Sequence, residues 1–313
     1  MKIELLDKNN EISSSLEIVF LKNLESSSDK ELLEVLDFKP KDESCVLLVE
    51  SKKIYVGYEE STYDSIAIAM ANGVRKLKET NYESAKIVLN DDLKENFKAI
   101  IEGAYLGEYK FTKYKSENKV KKVQLNVIVD EVTKELEKTL KESKIIGKAV
   151  NKARDMVNTP PADFYPKIMA KKAEKIADDL ALDIKVEGEK FLKENGMNAM
   201  LSVGRASVHE SKLIHLTYKP SDAKKKVVLV GKGLTYDSGG LSLKPADFMV
   251  TMKADKSGGC AVMSTLWAIA KLELPFEVHG IVGAVENMIG GNAYKPDDVL
   301  RAKNGKTIEI RNT

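Results

Sequence analysis

A long helical pattern that ends at two prolines constrains the fold of this chain more than any other feature. Apolar residues recur every three or four positions from Val132 to Val157, which predicts one amphipathic helix over 130–157, about 40 Å long. Pro160 and Pro161 follow, and proline can neither continue the helical hydrogen bonds nor tolerate a helical residue before it. A helix of this length suits a bridge between two domains.

Strand and helix patterns alternate on both sides of this helix. Before it, we predict strands at Leu16–Leu21, Cys45–Val49, Lys53–Gly57, Ser84–Leu89 and Val123–Val129, with helical stripes at Ile66–Leu77 and Leu93–Ala104. After it, we predict helices at Ile168–Leu180, Lys190–Asn195 and Gly258–Leu274, with strands at Leu182–Val186, Ala199–Val203, Leu213–Tyr218, Val227–Val230, Val278–Val285 and Lys306–Arg311. The fold class is therefore α/β, with an N-terminal mixed-sheet domain at 1–130, a connecting helix at 131–158 and a second α/β domain at 159–313.

The composition argues against several classes of protein. With 50 Lys and Arg against 48 Asp and Glu, the net charge of +2 gives no global field that favours nucleic acid or an anionic membrane. The sequence has no apolar run long enough for a membrane span, and its first residues have no apolar core of a signal peptide. Cys45 and Cys260 lack C-x-x-C spacing and are expected to be thiols in a reducing compartment. We therefore expect a cytoplasmic protein.

The residues that can carry chemistry follow the predicted strand Val227–Val230. We expect Gly231-Lys232-Gly233 to turn the chain at the carboxyl end of a buried strand, where ligands bind in open α/β sheets. Two carboxylates near such a dry edge require neutralisation, and a divalent cation can supply it. A lysine can join the ligands only as the free amine, which costs an ordinary lysine roughly 4.6 kcal/mol at pH 7 unless a bonded metal and burial offset it. The candidates to meet in this crevice are Lys232, Asp237, Lys244 and Asp255.

This block resembles the leucyl aminopeptidases, the cytosolic two-metal exopeptidases of peptidase family M17. Their pattern runs G-K-G-x-x-x-D-S/C-G-G-x-x-x-K-P, then M-K-x-D, E-N-M and N-T-D-A-E-G-R. The residues that match it are Gly231–Gly233, Asp237, Gly239–Gly240, Lys244–Pro245, Met252–Asp255, Glu286–Met288 and Asn312–Thr313. The resemblance also covers Asn158-Thr159-Pro160-Pro161.

The resemblance implies a function and a role for each matching residue. The enzyme would remove N-terminal residues, leucine preferentially, from peptides, as a homohexamer with no membrane attachment. Two divalent ions, manganese or zinc, would be held by Lys232, Asp237 and Asp255, with bicarbonate as a possible helper base. Lys244 would be the catalytic cation that contacts substrate and stabilises the oxyanion. Met252 would line the pocket for the first side chain, and Glu286 would either be structural or support the metal ligands.

Two departures from the family pattern bear on these expectations. Lys256 stands where many members carry methionine, which adds a charge beside Asp255. The sequence ends at Thr313, where the pattern continues with D-A-E-G-R and, by resemblance, with two more carboxylate ligands and a catalytic arginine. We therefore expect an active metallo-aminopeptidase at full length and an inactive 313-residue fragment that binds divalent metal weakly.

Other interpretations of the same residues remain open. The tetrad Asp237-Ser238-Gly239-Gly240 surrounds the nucleophile of chymotrypsin-like proteases, but those are all-β and need a histidine base. The three histidines, His209, His215 and His279, lie in no recognisable catalytic setting, and no H-E-x-x-H occurs. The charged residues could form an ordinary surface salt-bridge set. From another class, a catalytically silent family member could bind nucleic acid through the lysines around Tyr114, although nucleic acid is the less expected partner; these are Lys113, Lys115, Lys119, Lys121 and Lys122.

Overall fold

The computed structural model describes residues 1–10, 16–116 and 120–313. The chain divides into two compact units, Met1–Asn151 and Lys152–Thr313. Both units combine helices with β-sheet, so the predicted α/β class is confirmed. The boundary between them falls inside the long helix, which spans Lys134–Asn158 and ends just before the two prolines, as predicted.

The first unit is built on a six-stranded mixed sheet. Its strands are β1 (Lys2–Asp7), β2 (Leu16–Leu21), β3 (Cys45–Leu48), β4 (Lys53–Gly57), β5 (Ser84–Val88) and β6 (Gln124–Val129). Its helices are α1 (Lys30–Val35), α2 (Tyr63–Glu79), α3 (Asp91–Lys94) and α4 (Phe97–Glu108). The strand order is β1-β6-β5-β2-β4-β3, and only β3 runs antiparallel to its neighbour. Gly103 and Gly107 let α4 touch the backbone of α2, because a Cβ at either position would lie 2.4 Å from a carbonyl oxygen of that helix.

The second unit carries the candidate site on a four-stranded sheet of order β7-β8-β10-β9. Its strands are β7 (Asp183–Glu187), β8 (Lys212–Tyr218), β9 (Lys226–Asp237) and β10 (Glu277–Asn287), followed by a hairpin of β11 (Val299–Arg301) and β12 (Thr307–Glu309). Its helices are α5 (Lys134–Asn158, shared with the first unit), α6 (Pro166–Leu180), α7 (Glu189–Glu194), α8 (Asn198–Gly204), α9 (Ala246–Met249) and α10 (Ser257–Lys271). Helices α6 and α10 pack on one sheet face and form the apolar core around Met169, Cys260, Met263 and Ile214. Strands β9 and β10 are parallel and end together at Asp237 and Asn287.

One predicted strand is a helix. The segment Ala199–Val203 forms the centre of α8, where Met200 lies over Gly283 of β10. A run of five residues is too short for its periodicity to separate strand from helix, and alanine, methionine and leucine favour helix.

The expectations for the strand at Val227–Val230 were wrong in two respects. The strand does not turn at Gly231-Lys232-Gly233 but continues as β9 to Asp237. The glycines instead allow close packing, since a Cβ on Gly231 would lie 2.7 Å from the carbonyl oxygen of Gly258 on α10. The strand is also not buried: within the described sheet β9 pairs on one side only, and Val230 is 76% exposed.

No helix in the part of the chain that the structure covers is long and apolar enough to cross a membrane.

Candidate metal centre

Asp237, the last residue of β9, is held by hydrogen bonds at one oxygen and by an ion pair at the other. Its Oδ1 accepts the Gly239 N–H at 2.9 Å and the Asn287 amide at 2.8 Å, and its Oδ2 lies 3.1 Å from the Lys244 Nζ. Burial raises the pKa of this carboxyl, but the hydrogen bonds and the Lys244 ammonium together outweigh burial, so the pKa of Asp237 lies below its usual range. Asp237 is therefore a fixed anion at the strand end.

A glycine turn brings Lys244 back to Asp237. Gly239 and Gly240 have φ angles of +89° and +61°, which other residues rarely adopt. The turn closes where the Lys244 N–H donates to the Ser238 carbonyl at 3.0 Å. The segment Asp237–Lys244 thus folds so that its first and last residues form an ion pair.

A second ion pair joins Lys232 to Asp255. Lys232 lies in the middle of β9, and its Nζ is 2.9 Å from the Asp255 Oδ1. Asp255 belongs to a 3₁₀ helix, Met252–Lys256, that packs against β9 and leads directly into α10. Its Oδ2 is buried and accepts no hydrogen bond from any residue that the structure describes. A buried carboxylate oxygen without a donor costs free energy, which a bound cation would recover.

These residues fit a divalent cation in their chemistry. Two half-buried carboxylates and one amine stand on adjacent elements, and Asp255 has an oxygen left over for a ligand bond. In the described ranges, no three His, Cys, Asp or Glu side chains are grouped so that they could hold a metal ion. A site built on Asp237 and Asp255 must therefore use Lys232, or groups other than these, to complete its shell.

Lys256, noted in the sequence only as a departure from the family, is fully buried beside Asp255. Its Nζ donates to the carbonyl oxygens of Val157 at 3.2 Å, Thr159 at 3.1 Å and Lys253. The ammonium also lies 5.3 Å from the centre of the Phe164 ring. Burial lowers the pKa of Lys256 to about 8. Its charge is directed to main-chain carbonyls and leaves the Asp255 carboxylate to Lys232.

The remaining motif residues differ in what the structure shows. Asn287 is buried and donates to Asp237, a role that the E-N-M motif alone did not predict. Glu286 is also buried and accepts the Ser207 hydroxyl, which agrees with a structural role. Met252 is half-buried at the start of the 3₁₀ helix, three residues before Asp255. Tyr294 was not foreseen: burial raises the pKa of its phenol, and the neighbouring Asp237 carboxylate raises it further.

The structure gives Ser238 a structural role. Its side chain is 3% exposed, and its hydroxyl donates to the Asn287 carbonyl at 2.9 Å while accepting the Gly240 N–H at 3.1 Å. Two of the histidines lie side by side, with the His215 Nε2 2.9 Å from the His279 Nδ1. His209 stacks on the Tyr165 ring with a centroid separation of 4.0 Å. None of these contacts joins a histidine to Ser238.

The basic cluster around Tyr114 is partly engaged within the fold. Lys121 donates to the carbonyl oxygens of Leu77 and Thr80 at the end of α2, and the Lys113 Nζ lies 5.1 Å from the centre of the Tyr114 ring. Lys119 lies outside the described residues. Lys121 thus caps the carbonyl end of α2, so at least this lysine of the cluster is not simply solvated.

Comparison with known proteins identifies the class to which this fold and site belong. The catalytic domain of the cytosol aminopeptidase family matches residues 151–313, and the N-terminal domain of the same family matches residues 24–118. The chain belongs to the cytosol aminopeptidase family. The resemblance seen in the motifs is therefore confirmed.

Relatives and solved structures agree with this assignment. A probable cytosol aminopeptidase of Wolinella succinogenes is 48% identical over 97% of this chain, and one of Campylobacter jejuni is 43% identical over the whole chain. The chain spans 65% and 67% of the lengths of these two relatives. Among solved structures, the bottromycin maturation enzyme BotP in complex with Mn is similar, with a TM-score of 0.82 and 29% identity over 96% of this chain and 66% of BotP.

Proposed function

We propose that this chain supplies metal-binding and catalytic residues of a two-metal aminopeptidase that releases N-terminal residues, leucine preferentially, from peptides. The observation that carries the proposal is the buried Asp255 Oδ2, which has no hydrogen-bond donor among the described residues. Asp255 pairs with Lys232 and Asp237 pairs with Lys244, and these residues stand in the family's motif positions. An ordinary surface salt-bridge set would instead leave both carboxylates solvated. The names of the relatives support peptide hydrolysis in the cytosol.

Each candidate residue has a place in this proposal. Asp237 and Asp255 would hold divalent ions through their carboxylates, and Lys232 would join them as a neutral amine. Such ions polarise the scissile carbonyl and lower the pKa of a bound water so that hydroxide forms near neutral pH. Lys244 is about a third exposed, so its ammonium can reach a substrate oxygen and stabilise developing negative charge. We place Met252 in the pocket for the leaving residue's side chain because it starts the 3₁₀ helix that carries Asp255.

Manganese is our first choice of metal, ahead of zinc. The similar BotP structure is described as a complex with Mn. Carboxylate oxygens and an amine are hard or intermediate ligands that suit manganese, and the described site offers no thiolate to select a softer ion.

The last residues of the chain support the position of the site. The Thr313 hydroxyl donates to the Gly239 carbonyl at 2.6 Å and accepts the Ser242 N–H at 2.8 Å. The N-T of the family's N-T-D-A-E-G-R pattern therefore lies against the turn between Asp237 and Lys244. The carboxylates of that pattern would enter the site at this point in relatives.

A mutational assay tests the proposal. Hydrolysis of a leucyl chromogenic amide with manganese should be abolished in the complete protein by Asp237→Ala and by Asp255→Ala, with loss of bound metal. Asp247→Ala is the matched control, because Asp247 is exposed on α9 in the same segment. Undiminished turnover in either site variant would overturn the metal assignment. A DNA titration at several salt concentrations, on the same preparation, tests the catalytically silent, nucleic-acid-binding alternative.

A further inference from the structure

Two prolines create a need for hydrogen-bond donors at the end of α5. In a continuing helix the carbonyl of Val157 would accept the N–H of residue 161, and here that residue is Pro161, which has none. Pro160 likewise has no N–H to donate to the carbonyl of Met156. The helix end also carries partial negative charge. This end therefore favours a cation with several donors.

Lys256 meets that need from a distant part of the chain. Its buried ammonium has three N–H donors, and the three contacts it makes are to the carbonyls of Val157, Thr159 and Lys253. The first two carbonyls belong to the end of α5 and the turn after it, and the third belongs to the 3₁₀ helix of Lys256 itself. The ring of Phe164 adds a favourable surface for the cation. One side chain thus ties the Met252–Lys256 helix to the Val157–Thr159 segment.

The hydrogen bonds of Lys256 also hold the position of Asp255, the residue before it in the sequence. Asp255 must lie where its Oδ1 contacts Lys232 while its Oδ2 stays buried with no donor from the part of the chain that the structure describes. That arrangement is costly for a metal-free protein, so the surrounding backbone must hold it against relaxation. Lys256 is suited to this role because its ammonium binds main-chain carbonyls and does not pair with the Asp255 carboxylate.

We propose that Lys256 is a positioning residue for the metal centre, which holds Asp255 ready for a cation by anchoring its 3₁₀ helix to the end of α5. The inference rests on the proposed metal site. It assigns to Lys256 neither metal ligation nor contact with substrate.

A double-mutant cycle on the full chain tests the proposal. The dissociation constant for Mn²⁺, followed by electron paramagnetic resonance of the free ion, should rise about 10- to 100-fold in Lys256→Met, as for other residues that support metal ligands. Lys253→Met is the matched control, a lysine on the same 3₁₀ helix, and should change the constant less than about threefold, which is small beside that effect. In an Asp255→Asn background, Lys256→Met should have no further effect on the constant. An equal effect in both backgrounds, or none in either, overturns the proposal.

A second measurement tests the anchor without metal. Hydrogen exchange of the metal-free chain should accelerate in Lys256→Met within peptides that cover residues 252–258 and 157–164, and remain unchanged there in Lys253→Met. Unchanged exchange in Lys256→Met refutes the anchor even if metal affinity falls. Fluorescence of Trp267, the single tryptophan, shows whether each variant is folded. If Asp255→Asn alone leaves Mn²⁺ binding intact, the proposed function fails while the exchange result still decides the anchor.

Discussion

Gly239→Ala should destabilise the second unit and displace Lys244 from Asp237. Gly239 has a φ of +89°, and positive φ costs an alanine about 1–2 kcal/mol. A Cβ at this position would lie 2.5 Å from the Ser242 carbonyl oxygen and 3.0 Å from the Lys244 nitrogen, so the backbone of the turn must shift. Such forced shifts cost about 1–3 kcal/mol more.

The net effect on stability follows from these contributions and one that opposes them. Replacing glycine by alanine also lowers the entropy of the unfolded chain, which stabilises the folded state by about 0.4–1 kcal/mol. We therefore expect Gly239→Ala to lower the free energy of unfolding by about 1–5 kcal/mol. Because the shift must move Ser242 and Lys244, the ion pair to Asp237 should weaken as well.

Urea unfolding monitored by Trp267 fluorescence measures this change, since the single tryptophan lies on α10 in the same unit. The matched control is Gly291→Ala, where an added Cβ meets nothing within 4 Å. This control should remain within about 0.5 kcal/mol of the wild type. If Gly239→Ala unfolds at the same urea concentration as Gly291→Ala, the turn does not depend on glycine and the strain argument is wrong.

Three further predictions follow from contacts at the site and on the sheet. Lys244→Ala should leave the bound metal unchanged and lower kcat by roughly 10² to 10³, the loss expected for one oxyanion donor, whereas loss of metal would make Lys244 a ligand. Asn287→Ala removes a hydrogen bond from Asp237 and should weaken metal binding about 10- to 100-fold by calorimetry; an unchanged affinity would show that this bond is dispensable. Burial, and then the adjacent His279, lower the pKa of His215, so the unfolded chain binds this proton more tightly. The free energy of unfolding should therefore fall as the pH drops below 6.5, by at most about 1.4 kcal/mol per unit, and His215→Gln should flatten that slope; an unaltered slope would refute it.

The parts of the fold that could be predicted are those where a local pattern determines a local structure. The helix before Pro160 was predicted because apolar periodicity continues over many turns and proline ends it. The segment Ala199–Val203 was misassigned because five apolar residues satisfy either period. The glycines around Lys232 were misinterpreted because their role depends on distant elements. Gly231 allows the approach of α10, which starts more than twenty residues later, and a Cβ on Gly233 would lie 2.7 Å from the Val282 side chain of β10.

The candidate site shows the same division between local and distant information. The residue types of Lys232, Asp237, Lys244 and Asp255 could be selected by motif, but the motif does not say which lysine pairs with which aspartate. One hydrogen-bond donor to Asp237, the side-chain amide of Asn287, lies fifty positions away in sequence. Two of the three carbonyl partners of Lys256 lie almost a hundred positions earlier, so no spacing rule could have revealed them.

The two ion pairs explain why a metal centre and a salt-bridge set are hard to tell apart from sequence. Each of the two carboxylates is mostly removed from water and would be costly without a counter-charge, and each is balanced here by one lysine. Both ion pairs would have to break when cations bind. Lys232 would lose its proton and become a ligand, and Lys244 would turn from Asp237 toward substrate. A carboxylate oxygen that is buried without a donor is costly in a salt-bridge pair, and a bound cation would remove that cost. Asp255 Oδ2 keeps such a position. The metal-free site is thus balanced in charge but incomplete in hydrogen bonding, and that combination favours a metal centre over a simple surface pair.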